Sequence, residues 1–332
     1  MDIQLINGKD AFSRLEGEWD RLAGRSMTDT PFQSLAYQRS WWQHLGPGDL
    51  HTITIRDEQG LLMAIACFYL LDGVLYFNGC TEETDYLDLI APFNTAAAAW
   101  HCVFEALEHH DFPPWQALEL CNIPAASATH EILPQLSRER GYSFATQVQD
   151  VCPVIALPAS FDDYLMRLDK KQRHEIRRKR RRAVAAGAQI TSVESTTDLA
   201  SEVDDFLDLL QMSTTEKEGW LNEGRRNVFH EVAAAAMEAG TLQLVFLEAK
   251  GKKAAGLYNF DYKGRIWVYN SGLDIIEFGY LSPGVVLTAA AIESAIDRDR
   301  NTFDFLRGDE TYKYRFGAED TTVHRIEIKR EG

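Results

Sequence analysis

The sequence predicts a two-domain α/β protein, each half a mixed, mostly antiparallel sheet flanked by helices. Three observations carry that expectation. The chain has 332 residues, and at roughly 100–200 residues per domain this is room for two cores. Hydrophobic residues make up 45% and charged residues 25%, values of ordinary globular protein rather than disordered or fibrous chain. The same order of elements (helices, an antiparallel meander, a helix, further strands) is read twice, which suits a mixed sheet with flanking helices. The duplication lies in element order alone, without a residue-level repeat. The expected domains are 1–155 and 156–332.

In the first half, apolar spacing predicts helices near 10–23 and 34–45. Strands near 51–56, 61–71 and 74–79 follow, joined by turns at Asp57-Glu58-Gln59-Gly60 and Asp72-Gly73. A helix near 95–110, a strand at 116–121 and a helix at 128–140 closed by Gly141 come next. Strands at 143–149 and 151–157 end the half, punctuated by Pro153 and Pro158. In the second half, Ser160-Phe161-Asp162-Asp163 resembles a capping box and opens a long helix to about Ala186. Helices near 198–216 and 225–239 precede strands at 241–249, 253–262 and 265–271, with Gly251-Lys252 and Lys263-Gly264 at the turns. Ser282 as N-cap with Pro283 at the first helical position predicts a helix to about Arg298. A short strand at 302–306, a Gly-rich loop and a strand at 322–329 complete the chain.

Several classes are excluded or disfavoured. No apolar run reaches the ~18 residues of a membrane helix, and Met1-Asp2-Ile3-Gln4 has neither the basic start nor the apolar stretch of a secretory signal. A cytoplasmic location is expected. The five cysteines (Cys67, Cys80, Cys102, Cys121, Cys152) are odd in number and form no CxxC, so they are expected to be small core residues in a reducing compartment. No Cys/His cluster has metal-ligand spacing, so no metal is expected.

The net charge of −16 disfavours DNA as a partner, yet the charge is uneven. Between Arg167 and Arg182 ten Lys/Arg face only Asp169 and Glu175, a local charge of +8. Leu165, Leu168, Gln172, Ile176 and Ala183 form the apolar stripe of this segment, leaving the cations on the surface. Six consecutive cations, Arg177–Arg182, repel one another. Such a patch on an acidic chain points to one local anionic partner: a phosphate, a nucleic-acid or carrier-protein donor, or a membrane surface.

Two further segments carry chemistry-bearing residues. Around Ser282, Pro283 and Gly284, a helix N-terminus offers free N–H groups and a dipole suited to a pyrophosphate. The stretch Thr302–Gly317 is a strand leading into a loop rich in charge and aromatics, where function concentrates. Asp304, between Phe303 and Phe305, is a candidate general base with a desolvated carboxyl, and Tyr269 is the alternative. Lys313 is the candidate for stabilising an oxyanion or phosphate. Ion pairing of Asp309 with Arg307 or Lys313 is the structural alternative for that loop.

At these residues the chain resembles the GNAT acyltransferase superfamily, in particular its cellulose-biosynthesis-associated branch, itself similar to the Fem peptidyltransferases with two GNAT-like domains. The resemblance rests on Pro31-Phe32-Gln33-Ser34 with Trp41-Trp42, and on Asp85-Tyr86-Leu87-Asp88. In the second half it rests on Lys171-x-Arg173-x-x-x-Arg177-Arg178, Ser282-Pro283-Gly284, and Asp304-Phe305-Leu306-Arg307-Gly308-Asp309 with Tyr312-Lys313. It implies tandem GNAT-like domains, the second catalytic and the first not. The implied activity is an N-acyltransferase taking an acyl group from a thioester donor, acyl-CoA or acyl carrier protein. The implied acceptor is a small-molecule or lipid-linked amine, in cell-envelope or polysaccharide biosynthesis. Of the usual donor-loop glycines, Phe278–Gly284 keeps Gly279 and Gly284. Tyr312-Lys313-Tyr314-Arg315-Phe316-Gly317 is similar to the Phe-Lys-x-x-Phe-Gly run of the Fem enzymes, whose donor is an aminoacyl-tRNA. By this resemblance Asp304, Lys313 and Tyr269 are the expected catalytic residues. Lys171, Arg173, Arg177, Ser282, Gly284, Arg307, Asp309 and Tyr312 are the expected donor- and substrate-binding ones. The rival readings are Fem-type transfer from aminoacyl-tRNA and a non-catalytic accessory protein docking through its basic helix.

Overall fold

The computed structural model describes residues 1–80, 82–213 and 219–330. It divides into two compact units, Met1–Val151 with Thr322–Gly332, and Cys152–Thr321.

In the first unit, β1 (Asp2–Asn7), β2 (Asp49–Arg56), β3 (Leu62–Leu71) and β4 (Val74–Phe77) form an antiparallel meander. Helices α1 (Asp10–Arg14), α2 (Trp19–Ala23) and α3 (Leu35–Leu45) lie between β1 and β2 in sequence. A helix, α4 (Ala96–Glu108), then carries the chain to β5 (Ala117–Pro124), which pairs with β4 in parallel from Val74↔Ala117 to Tyr76↔Glu119. After α5 (Thr129–Glu139), the long strand β6 (Tyr142–Ala156) runs from this unit into the next. The last strand, β12 (Glu319–Arg330), pairs antiparallel with β5. Trp19, Phe32, Phe68, Trp100 and Phe104 are all fully buried here.

The second unit repeats this plan. After α6 (Phe161–Arg167) and α7 (Lys170–Ala185), the strands β7 (Gln189–Ser192), β8 (Leu242–Ala249), β9 (Lys252–Tyr262) and β10 (Arg265–Leu273) make a second antiparallel meander. Helices α8 (Leu199–Ser213) and α9 (Glu223–Glu238) lie between β7 and β8 in sequence. A short helix, α10 (Ile275–Phe278), and α11 (Pro283–Asp297) lead to β11 (Thr302–Asp304), which pairs in parallel with β10 and antiparallel with the end of β6. The short helix α12 (Thr311–Arg315) precedes β12. Both units are therefore a meander, a crossover helix and a parallel fifth strand, which is the expected mixed α/β tandem.

The two faces of the second sheet bury different things. One packs α11 and α7 through Ile176, Ala183, Val286, Leu287 and Ile292 against Leu257, Val268 and Phe303. On the other, Phe206 of α8 and Phe229 of α9 meet Tyr258, with centroid separations of 5.6 and 5.3 Å.

Several expectations need correction. The helix foreseen over 10–23 is two short helices, and the one foreseen from Ser160 to Ala186 breaks at Leu168. The break follows from local chemistry: Asp169 takes an extended backbone and its carboxylate accepts from the Gln172 N–H at 2.9 Å, starting a new helix. Strands β1 and β7, and the helices at 275–278 and 311–315, had not been anticipated. The two strands foreseen at 143–149 and 151–157 are one, and the expected extension of α8 to residue 216 lies outside the described residues. The cysteine expectation holds for buried Cys67, Cys102 and Cys152. It fails for Cys80 and Cys121, which form a disulfide with Cα atoms 6.1 Å apart. The parallel β4/β5 pairing brings these residues together across 41 positions, a proximity that spacing in the chain does not reveal.

Candidate active site

The parallel pair β10/β11 is matched only over Arg265–Trp267 and Thr302–Asp304. Beyond Trp267 the two chains part. The β10 register against β9 shifts between Val268 and Asn270, a bulge, and bulges bend the strand that carries them. The loop after β11 turns away because Leu306 adopts a left-handed backbone, φ 58°. A cavity of about 310 Å³ opens where they separate, lined on β10 by Val268, Ser271 and Leu273, with Phe305, Tyr312 and Phe316 from the loop side. The first turn of α11, Ser282–Val285, closes one end. The lining is largely apolar, as small-molecule sites generally are.

The polar end is built differently from the sequence expectation. Ser282 does not cap α11 through its side chain; it has a left-handed backbone, φ 55°, and its hydroxyl accepts from Arg182 Nη2 at 3.0 Å. Gly284 lies close against Leu273: a Cβ there would meet Leu273 Cδ2 at 3.1 Å, and the leucine would have to shift slightly to admit it. Pro283 has no N–H, and the helix therefore presents the N–H groups of Gly284 and Val285 without a side-chain cap. Arg182 Nε is buried with no partner among the described residues. A buried, unsatisfied guanidinium nitrogen beside an uncapped helix N-terminus is suited to a phosphate oxygen.

Phe305 and Tyr312, each next in sequence to a predicted catalytic residue, line the cavity; Asp304 and Lys313 themselves do not. The Asp304 carboxylate is 2% exposed and accepts from the Leu306 N–H at 2.8 Å, fixing the turn after β11. Lys313, also 2% exposed, donates to the carbonyls of Leu306 (3.2 Å), Arg307 (2.7 Å) and Gly308 (3.0 Å) and pairs with Glu310 at 2.9 Å. These two residues pin the loop that carries Phe305 and Tyr312. Burial pushes the Tyr312 phenol pKa up, so the group stays protonated at neutral pH. Tyr269 packs among Phe229, Tyr258 and Phe260, with ring centroids 5.3–5.8 Å away.

Of the predicted binding residues, Ser282, Gly284 and Tyr312 come together at the cavity. Lys171 is exposed and Arg173 half-buried on α7, while Arg177 pairs with Asp162 at 3.3 Å. The Arg307 carbonyl accepts from Lys313 and Asp309 is exposed. Arg182 went unrecognised in the sequence. It is the last of six consecutive cations, and only the approach of Ser282 distinguishes it from its neighbours.

A parallel strand pair is thus splayed over a cavity, and the start of a crossover helix borders it. Residues 170–314 match the family profile of the acetyltransferase (GNAT) domain, a span that contains the whole cavity lining except Phe316. The fold extends over the entire chain in known structures. FemX superposes with a TM-score of 0.68 at 11% identity, covering 98% of this chain and 97% of its own. L-PGS from Bacillus licheniformis gives 0.58 at 10%, covering 98% and 91%. A tandem GNAT protein from the clavulanic acid biosynthesis pathway gives 0.52 at 11%, covering 100% of both chains. No curated protein matches the chain in sequence.

Proposed function

We propose that the chain is an N-acyltransferase that moves an acyl group from a thioester donor, acyl-CoA or an acyl carrier protein, to an amine. The observation that carries this reading is the apolar cavity between the parted strands β10 and β11, ending at the uncapped helix start beside Arg182. The donor's pantetheine arm and acyl chain lie in the cavity, and a donor phosphate meets Arg182 and the N–H groups of Gly284 and Val285. The β10/β11 register ends at Trp267↔Asp304, and a backbone N–H of β10 beyond it serves as donor to the developing oxyanion. The amine nitrogen attacks the thioester carbonyl, the C–S bond breaks, and Tyr312 gives its proton to the departing thiolate. The proton lost by the amine nitrogen restores the phenol through solvent. Asp304 and Lys313 hold the loop in shape for this step.

The first unit serves as support. There the gap beyond the corresponding parallel pair is crossed by the Cys80–Cys121 bond, and Asn78 donates to the carbonyl and side chain of Gln38 at 2.8 and 2.9 Å.

Calorimetric titration with acetyl-CoA and a long-chain acyl-CoA tests the reading. The intact protein should bind at least one saturably, and Arg182→Met, checked for its fold by circular dichroism, should bind it at least about tenfold more weakly, the loss of one charge-assisted contact. Absence of binding to both, repeated with an acylated carrier protein, would sink the thioester reading.

A further inference from the structure

The segment that closes the cavity mouth has an outer surface that neither the fold nor acyl transfer uses. Ile276 is 91% exposed, and Ile275 and Tyr280 are about half exposed, although Ile275 also lines the cavity. Exposed isoleucines on consecutive positions gain nothing in water. They sit among cations. Lys250 stands 5.3 Å over the Tyr280 ring, and Lys252 pairs with Glu277 at 2.8 Å. The C-terminal end of α7 reaches the same place through Arg182 and Ser282, bringing Arg181 and the exposed Val184 with it. The acidic residues of the segment are occupied: Asp274 caps α10 and Glu277 is in its ion pair.

The basic helix extends this surface. Arg178, Lys179 and Arg180 pair with Glu175 or Glu293. Lys170, Lys171, Arg173 and Arg181 have no acidic partner among the described residues. Lys170, His174, Arg177 and Arg181 share one face of the helix, spanning roughly 16 Å at 1.5 Å per residue.

Among the described residues no single helix is long and apolar enough to cross a membrane. The bent pair Ile275–Leu281 and Pro283–Asp297 passes by composition, but α11 is packed into the core through Val286, Leu287, Ala289 and Ile292. Only the Ile275–Tyr280 tip is free to meet lipid, to the depth of an interfacial residue.

From this we propose that the Ile275–Tyr280 tip and the cationic face of α7 form a docking surface for an anionic phospholipid bilayer, with the cavity mouth at the lipid interface. Apolar tips with adjacent cations match an anionic interface, where the side chains enter the headgroup boundary and the cations meet the surface potential. The charge complementarity is local, because the chain as a whole is acidic, at −16. An amphiphilic substrate would pass from bilayer to cavity without crossing water. The docking itself does not depend on the identity of the donor.

Co-sedimentation of the full-length protein with vesicles tests it, using phosphatidylglycerol and phosphatidylcholine mixed in equal parts against phosphatidylcholine alone. Binding should occur to the mixed vesicles only and weaken with salt. I276D, which changes the 91% exposed isoleucine and leaves the cavity lining untouched, should bind about tenfold more weakly or worse. The separate variant K170E/R181E, on the cationic face, should lose roughly fivefold for each cation that reaches the surface. Both variants should retain the far-ultraviolet spectrum and the acyl-CoA binding of the parent, which separates failure of docking from failure of the donor site. The proposal is overturned if the parent protein ignores the mixed vesicles. It is equally overturned if the isoleucine variant binds them as the parent does, which would assign α7 to a soluble polyanion such as RNA.

Discussion

At the scale of single residues, buried charge decides more than exposed charge. Lys313 satisfies three loop carbonyls at once, and replacing its ammonium by the similarly shaped Met leaves those acceptors without it. Stranded buried acceptors cost about 1–3 kcal/mol each before relaxation and water entry. We expect Lys313→Met to lower the unfolding free energy by about 2–4 kcal/mol in urea denaturation and to reduce kcat through the displaced Tyr312. Unchanged stability with lost turnover would instead assign the ammonium to the chemistry. Asp88 is the counterpart in the first unit. It accepts from Thr28 and Thr129 hydroxyls at 2.8 and 2.7 Å and from the Leu89 N–H at 2.8 Å. Burial raises its pKa against the opposing pull of these hydrogen bonds. A carboxyl raised on folding stabilises most in acid, below its unfolded pKa, and that contribution is lost as pH rises through the folded value. The stability difference between the parent protein and Asp88→Asn, which cannot titrate, should therefore shrink from pH 4 upward. A difference that grows with pH would overturn this.

At the scale of elements, the cavity depends on how closely α8 presses the neighbouring strand. Gly272 on β10 has no room for a side chain: a Cβ would meet Leu210 N at 2.5 Å and the Leu209 carbonyl carbon at 2.7 Å. Both obstacles are backbone, so Gly272→Ala must move the helix from the strand. Overpacking of this kind costs about 1–3 kcal/mol, and because Ser271 and Leu273 line the cavity, acyl-CoA binding should fall with it. Thermal unfolding and calorimetry on that variant check both effects. Elements like β10 were legible in the sequence because paired glycine turns bracket strong apolar runs, and α11 because Ser-Pro marks its start. Edge strands β1 and β7 were not, being short and largely solvent-exposed, so their pattern carries little hydrophobic signal. The break at Leu168-Asp169 was hidden because the apolar stripe continues through it; an Asp nine residues past Ser160, inside the foreseen helix, looks like any other solvated position. Of the candidate site, the segments were readable but not the side-chain roles. Asp304 and Lys313 stand beside the lining residues in sequence, yet a turn and three carbonyls take their polar atoms. Arg182 gains its place from Ser282, 100 positions away.

At the scale of the whole molecule, one plan is used twice and departs at one place, the gap beside the parallel strands. In Cys152–Thr321 it is an open cavity; in the first unit a disulfide spans it. The bond closes a loop of 41 residues, and a loop of that length restricts the unfolded chain by about 4 kcal/mol in the chain-entropy picture. That stabilisation belongs to the first unit, which has its own core, whereas the cavity between β10 and β11 lies within the second. Oxidised protein, denatured without reductant, should therefore titrate three thiols rather than five. Cys80→Ser should lower the unfolding free energy of the first unit by several kcal/mol while leaving acyl-CoA affinity within about twofold of the parent. Five thiols in the denatured, unreduced protein would show that the pair does not form the bond. Donor binding lost together with the bond would mean that the two units are not independent in function.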